Sequence, residues 1–345
     1  MLTKKIQAMQ RHIISQKDSG ILLINEREVA EILTMEETLD AVKEAFMAKG
    51  YGQVQMPSKV YVTFKKYNGD FRVMPSYLEN SDAAGVKIVN VHPNNPRIYG
   101  KPSVMATIVL IDPRTGAPLA IMGGTYITAM RTGAAGGLAT KYLAKENSKI
   151  LGLVGTGVQA RTQLQAISKV LSLEEVRVYD IIGDALNKFI EETKEKYEIS
   201  VSRCRSVHEC IKNADVVSVT TPTTSPIIKN EWIRSGTHIN AIGADAPGKQ
   251  ALDPNILKNS KIIVDDLNQA IHSGEINVPF SQGMLREDDI YAELGEVIVG
   301  DKAGRVRDDE ITVFVSTGLS LQDVSTAITV FRKAKAENMG NWITL

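Results

Sequence analysis

From Lys149 onward, short runs of Val, Ile and Leu alternate with longer stretches whose apolar positions recur at three and four residues. The runs are KILGLV at Lys149, EVRVYD at Glu175, DVVSVTT at Asp215, THINAIGAD at Thr237, KIIVDD at Lys261 and EITVFVSTG at Glu310. Between the first two, Leu164, Ile167 and Leu171 share a helical face. Strands this short and apolar are buried on both faces, and intervening helices make a parallel, doubly wound sheet. The front half has another rhythm. TMEETLDAVKEAFMAKG predicts a helix, with Thr34 and Glu37 spaced as a capping box and Leu39, Val42 and Phe46 on one stripe. After Gly52 come KVYVTF, FRVMPSYL, GVKIVNV and SVMATIVLID, the last turning through DPRTGAP into LAIMGG as a hairpin. A helix followed by antiparallel strands is an α+β unit. The amphipathic SLQDVSTAITVFRKAKAE, with Val324, Ile328 and Phe331 on a stripe, is the last helix. The fold class is therefore α/β, with a separate α+β unit in front.

Composition narrows the function more than the fold. A chain of 345 residues has room for two domains, and 43% hydrophobic with 23% charged residues is ordinary for a globular protein. Lys+Arg and Asp+Glu both number 40, so no net field draws the chain to nucleic acid or anionic membrane. No apolar run reaches the ~18 residues of a membrane span. The opening MLTKKIQAMQRHIISQKDSG lacks the apolar core of a secretory signal. Ile6, Met9, Ile13 and Ile14 instead predict an amphipathic helix docked on the protein, with a transit peptide as the other reading. Cys204, His208 and Cys210 stand close together, but a structural zinc site needs four ligands and no second cluster exists. The expectation is reduced thiols in a cytoplasmic protein, and no metal.

Candidate chemistry begins at Gly155-Thr156-Gly157-Val158-Gln159-Ala160, which fits the G-x-G-x-x-G/A dinucleotide fingerprint between a strand and a helix. Gly155 permits the tight turn, Gly157 admits the pyrophosphate, and the small Ala160 lets the helix lie against the strand. The phosphates would sit at the helix N-terminus. Asp180 ends the next strand, where an acid accepts the ribose hydroxyls and repels a 2′-phosphate; this predicts NAD(H) over NADP(H). Ligands in such sheets lie beyond the carboxyl ends of the strands, where VTTPTT (Val219–Thr224) and GADAPGK (Gly243–Lys249) emerge. Asp245 would face the reactive end of the cofactor, although a turn or N-cap aspartate reads equally well from the residues alone.

Together, GVKIVNVHPNNP, MRTGAAGGLAT, GLVGTGVQA, IGADAPGKQALDP and AELGEVIVG make nearly the whole chain resemble the ornithine cyclodeaminase/mu-crystallin family. The resemblance implies a Rossmann domain, here 133–318, and a substrate-binding and dimerisation domain of 1–132 completed by the C-terminal helix at 319–345. It implies hydride transfer at the Cα of an amino acid or its imine, in a homodimer. By resemblance Lys87 and Arg131 hold the substrate carboxylate, Arg131 also nearing the cofactor, and Asp245 handles the amine. Lys87, amid apolar neighbours, is also placed to transfer a proton once burial lowers its pKa. Thr132, Val158, Gln159, Asp180, Thr221 and Lys249, and less closely Ser103 and Ser316, match cofactor-contact positions. Lys59 stands where ornithine cyclodeaminases usually have Arg, and Arg72 where they tend to carry a Glu that grips the distal ammonium. Val315 replaces a frequent Asp. The Lys59/Arg72 pair therefore resembles the alanine dehydrogenase branch, with pyrroline-2-carboxylate or ketimine reduction beside it. Ornithine cyclodeamination and a non-catalytic NAD(P)H-binding protein of the crystallin type are the alternatives.

Overall fold

The computed structural model describes residues 20–344; the helix expected around Ile6–Ile14 lies outside them. Ahead of the glycine turn run β1 (Ile21–Ile24), β2 (Val54–Gln55), β3 (Val60–Phe64), β4 (Gly69–Leu78), β5 (Ala83–Val91), β6 (Val104–Ile111) and β7 (Pro118–Gly123). Then come β8 (Ile150–Val154), β9 (Glu175–Tyr179), β10 (Ser200–Arg203), β11 (Val216–Val219) and β12 (His238–Ala241). β13 (Lys261–Val264), β14 (Ile290–Glu293), β15 (Thr312–Val315) and β16 (Asn341–Ile343) complete the set.

Two eight-stranded sheets result. The second, in the order β10-β9-β8-β11-β12-β15-β13-β14, is parallel throughout. Alternation along its strands feeds two cores: Leu153 of β8 packs with Val176, Leu164 and Phe189, whereas Val154 packs with Val217, Ile239 and Ile256. That is the doubly wound sheet expected from the sequence. Strand order reverses about β8, so a crevice opens between the carboxyl ends of β8 and β11.

The first sheet runs β16-β1-β7-β6-β5-β4-β2, with β3 also on β4. The β6–β7 hairpin forms as read, as does the capping box of Thr34 and Glu37 on the helix Met35–Gly50. Two features differ from the sequence expectation. A strand, β1, precedes the helices, and its pairing with β7 is parallel within an otherwise antiparallel sheet. β16 then pairs with β1, so the C-terminus returns to the first sheet. The helix Ser320–Glu337 lies across β4, β5 and β6.

A long helix, Thr125–Leu143, runs through the expected boundary at residue 132 without a break. It packs on the helix Val158–Val170, and its small residues make that approach possible. A Cβ on Gly133 would come within 2.5 Å of the Thr162 carbonyl oxygen, and one on Gly137 within 2.8 Å of the Ala166 Cβ. The TGAAGG run is thus a seam of close packing that fixes the first sheet against the crevice. No helix among the described residues is long and apolar enough to cross a membrane.

Candidate active site

Period-two alternation decides which side chains of β4 and β5 point inward. On β4, Arg72, Met74, Ser76 and Leu78 are buried; on β5, Ala83, Gly85, Lys87 and Val89 are. Arg72 and Lys87 therefore occupy core-facing positions, and register places Met74 opposite Lys87 and Arg72 opposite Val89. A buried cation demands a partner. The C-terminal helix supplies it: Asp323 Oδ2 lies 2.7 Å from Lys87 Nζ, and its Oδ1 accepts from Arg131 Nε at 2.8 Å. Lys87 and Asp323 are both fully buried. The Lys87 contact is close but misaligned, and neither Lys87 Nζ nor Asp323 Oδ2 makes a well-directed hydrogen bond. Arg131 also donates to Gln322 Oε1 at 3.1 Å.

From the second sheet, the ends of β8, β11, β12 and β15 face this cluster. After β12, Asp245 accepts from Arg72 Nη1 at 2.8 Å and pairs with Lys249 four residues on. Arg72 is steadied by Asp70, 3.0 Å from its Nε, and lies over the Tyr61 ring. After β15, the Thr317 carbonyl accepts from Lys59 Nζ at 2.6 Å. That loop hangs on the buried Asp265, which accepts from the backbone N–H of Thr317 at 2.6 Å and of Gly318 at 2.8 Å.

These pairings set the protonation states. Burial, reinforced by Arg131 and opposed by Asp323, lowers Lys87 to about 7. Burial lowers Lys59 to about 8 against the pull of Asp265 and Asp245. Burial raises Asp265 to about 6, with Lys59 opposing. At Asp245 burial also works against the charge, but Arg72 and Lys249 outweigh it and hold the carboxyl well below the ordinary range. Near neutrality Lys87 is therefore poised to exchange a proton, whereas Asp245 is a fixed anion.

One cavity of about 380 Å³ is lined by Lys59, Arg72, Lys87, Arg131, Asp245 and Lys249, and also by Ser103, Thr132, Gln159 and Ser316. Every substrate-side residue expected from the sequence meets there. The remaining candidates lie along the crevice leading to it. Gly155 holds φ +97°, and a Cβ there would press on Thr220 Oγ1 at 2.7 Å. A Cβ on Gly157 would meet nothing within 4 Å, so the turn is open on that side. The helix beginning at Val158 has no side-chain cap, which leaves its first N–H groups free for an anion. Val158 itself is exposed, and Ala160 is buried against the strand. Asp180 Oδ2 accepts from the backbone N–H and hydroxyl of Thr156, each at 2.8 Å, and Oδ1 accepts from Ile182 N at 2.9 Å. Thr221 Oγ1 and Ser316 Oγ are buried without a hydrogen-bond partner. An open glycine turn, an uncapped helix start and two orphaned hydroxyls along one crevice suit a dinucleotide.

Asp323, Asp265 and Gln322 went unnoticed in the sequence, although two left a signal. Asp323 falls in phase with Ala327, Val330 and Ala334, all buried, so it is a charge on an apolar stripe. Asp265 directly follows the apolar β13. Cys204 and Cys210 are free buried thiols, and His208 stacks on Trp232 instead. Among the described residues no group of three or more His, Cys, Asp or Glu could hold a metal ion.

Residues 21–338 match the model of the ornithine cyclodeaminase/mu-crystallin family. The chain belongs to that family. It is 48% identical over 323 residues to the alanine dehydrogenase of Archaeoglobus fulgidus, covering 93% of this chain and 98% of the relative. An archaeal alanine dehydrogenase dimer solved with bound NAD superposes with a TM-score of 0.91 at 48% identity, covering 94% of this chain and 99% of that one. A Thermococcus litoralis Delta(1)-pyrroline-2-carboxylate reductase, solved with NADH and L-proline, gives a TM-score of 0.91 at 41% identity, with 94% of this chain and 100% of that one covered. The family resemblance and the α/β architecture read from the sequence both stand.

Proposed function

We propose that this protein is an NAD(H)-dependent oxidoreductase acting at the Cα–N bond of a small L-amino acid or cyclic imino acid. Its nearest activities are those of alanine dehydrogenase (L-alanine to pyruvate and ammonia, reversibly) and pyrroline-2-carboxylate reductase. One observation carries the reading: Lys87, Arg131 and Asp245 line the same cavity as Thr132 and Gln159 beside the glycine turn. When bound, the nicotinamide accepts or returns the hydride. NAD(H) is preferred because Asp180 presents a carboxylate where a 2′-phosphate would otherwise lie.

The chain's own groups divide the remaining work. Arg131 and Lys59 are cations for the substrate carboxylate, Arg131 through the planar face that a carboxylate matches. Asp245, held anionic, orients the ammonium of an amino acid or the iminium of its oxidised form, but at neutral pH it is too weak a base to take a proton. Lys87 fills that role. Neutral, it accepts the proton lost from nitrogen during oxidation; charged, it returns one during reduction. The apolar Met74, Val89 and Ile242 complete the wall and keep water from the reacting carbon.

Charge within the cavity favours these substrates over a diamine. With Lys87 protonated, the five cations Lys59, Arg72, Lys87, Arg131 and Lys249 outnumber by one the carboxylates Asp70, Asp245, Asp265 and Asp323 around it. Such a site balances a single carboxylate and repels a side-chain ammonium, which places ornithine cyclodeamination second. The site residues lie within one chain, and the protein works as a cytoplasmic homodimer on this reading. The test is a substrate panel: NADH with pyruvate plus ammonia, NADH with pyrroline-2-carboxylate, and NAD⁺ with ornithine followed by direct assay of proline. Oxidation of NADH in either of the first two supports the proposal; proline from ornithine alone overturns it.

A further inference from the structure

Asp245 and Lys249 stand on a loop whose tip, Pro247 and Gly248, is exposed, so something must hold that loop in register with the first sheet. The strand that leads into that loop, β12, ends at Ala241. Beneath the loop lies the segment 275–277, which does not line the cavity. Asn277 Oδ1 accepts from the Gly248 backbone N–H at 2.8 Å, and its Nδ2 donates to the Lys249 carbonyl at 2.8 Å. Nδ2 is anchored in turn on the Gly274 carbonyl at 2.6 Å. Two residues back, Glu275 Oε1 accepts from the backbone N–H of Ala251 at 2.7 Å and of Leu252 at 2.6 Å.

The pattern is specific to one side chain. A single amide grips the donor just before Lys249 and Lys249's own carbonyl, which fixes the rotation of that stretch of backbone and hence the direction in which the lysine leaves it. Gly248 sits at φ +80° within the gripped stretch, a conformation side-chain-bearing residues rarely hold. Lys249 departs toward Asp245 and pairs with Oδ1, while Arg72 takes Oδ2. Without the amide, the exposed tip retains the long Lys249 N to Ala246 O contact of 3.3 Å and the Gln250 N to Thr223 O bond.

We propose that Asn277 is a positioning residue: by clamping the backbone around Lys249 it keeps that ammonium on Asp245, and so fixes the charge and orientation of the carboxylate that meets the substrate nitrogen. Glu275 secures the far end of the same loop. The proposal rests on the reading of Asp245 given above. Asn277 is 6% exposed and Glu275 1%, so both act from below the loop and not from its solvent side.

The test is a double-mutant cycle on the full chain with NADH and whichever imine the panel identifies. The arms are wild type, Asn277→Ala, Lys249→Met and the double variant, with kcat/KM followed against pH and folding checked by thermal unfolding. Asn277→Ala is expected to lower kcat/KM about tenfold and to move the acid limb of the reductive profile up toward the ordinary carboxylate range, because Asp245 loses one of its two cations. In the Lys249→Met background the same substitution should add less than twofold. Losses that multiply, or a uniform fall at every pH, would show that Asn277 merely holds the fold together. Should Asn277→Ala fail to fold, Asn277→Asp keeps the shape and the acceptor for Gly248 N–H but removes the donor to the Lys249 carbonyl; the same coupling is expected, and its absence overturns the clamp. Asp245→Ala separates the two claims. If that variant is active, the site reading itself fails; if it is inactive while Asn277 and Lys249 are uncoupled, only the clamp fails.

Discussion

At the scale of single residues, the chemistry rests on one carboxylate shared by two cations. Asp323 raises the proton affinity of Lys87, which burial and Arg131 depress to about 7. Replacing Asp323 by Asn removes the only opposing influence of that size, so Lys87 should lose its proton at a lower pH. In the oxidative direction the rise of kcat/KM near pH 7 should move to lower pH, a sign that a simple loss of packing would not produce. The variant should also lose ~3–5 kcal/mol of stability, since two buried cations would then lack their counter-ion; denaturant unfolding measures that. Asp245→Ala should lose at least ~100-fold in turnover while NADH still binds, read by activity and by fluorescence titration of the cofactor. Lys87 was reached through the family resemblance and its apolar neighbours. Counting by twos along GVKIVNV does not choose its face, since Val86 and Ile88 make the other phase just as apolar; only the packed sheet shows Gly85, Lys87 and Val89 turned inward. Asp323 was harder. Its helical phase marks it as buried, but nothing local says which cations it meets; Arg131 is 192 residues away in the chain, and only the docking of the last helix on β4–β6 joins them.

Among the elements, the inner strands of the parallel sheet were legible because burial on both faces writes a continuous apolar run. β3 to β7 were legible as Val-, Ile- and Leu-rich runs between turn signals, β3 despite its exposure. β10 (SVSR), β14 (IYAE) and β16 (NWI) are edge strands, open along one side and partly polar, and left no such run. β1 is apolar, yet four residues long and flanked by a helix start, so its parallel pairing with β7 could not be read locally. The helix seam was visible only as composition. Its role predicts that Gly137→Val, which forces bulk against the Ala166 Cβ, costs ~1–3 kcal/mol in urea unfolding. Glu275 gives a second prediction at this scale. Burial raises it from 4.5 to about 8, while its two backbone hydrogen bonds oppose that rise. The folded state therefore holds a proton that the unfolded state releases, and stability from this group is full below pH 4.5 and is lost as pH rises toward 8. Relative to wild type, Glu275→Gln should become progressively more stable across that window and change no further above it, as thermal unfolding at several pH values would show.

Over the whole molecule, function comes from placing two sheets of different character against one crevice. The parallel sheet offers strand ends and an open glycine turn; the mixed sheet offers cations that its own parity would otherwise bury uselessly. Asp180, at the far end of that crevice, predicts tighter binding of NADH than of NADPH, and Asp180→Ala should narrow the difference, measured by titration of both cofactors. The central claim is that hydride passes between the nicotinamide and the substrate Cα within the cavity of Lys87, Arg131 and Asp245. Its most direct test is to supply NADH carrying deuterium at the transferable position together with pyruvate and ammonia, or with pyrroline-2-carboxylate, and to examine the product by mass spectrometry. The expected product is an L-amino acid with one deuterium, located at Cα, formed by the wild type and not by Asp245→Ala. Product without deuterium at Cα, or labelled product formed equally by the Asp245→Ala variant, would contradict it.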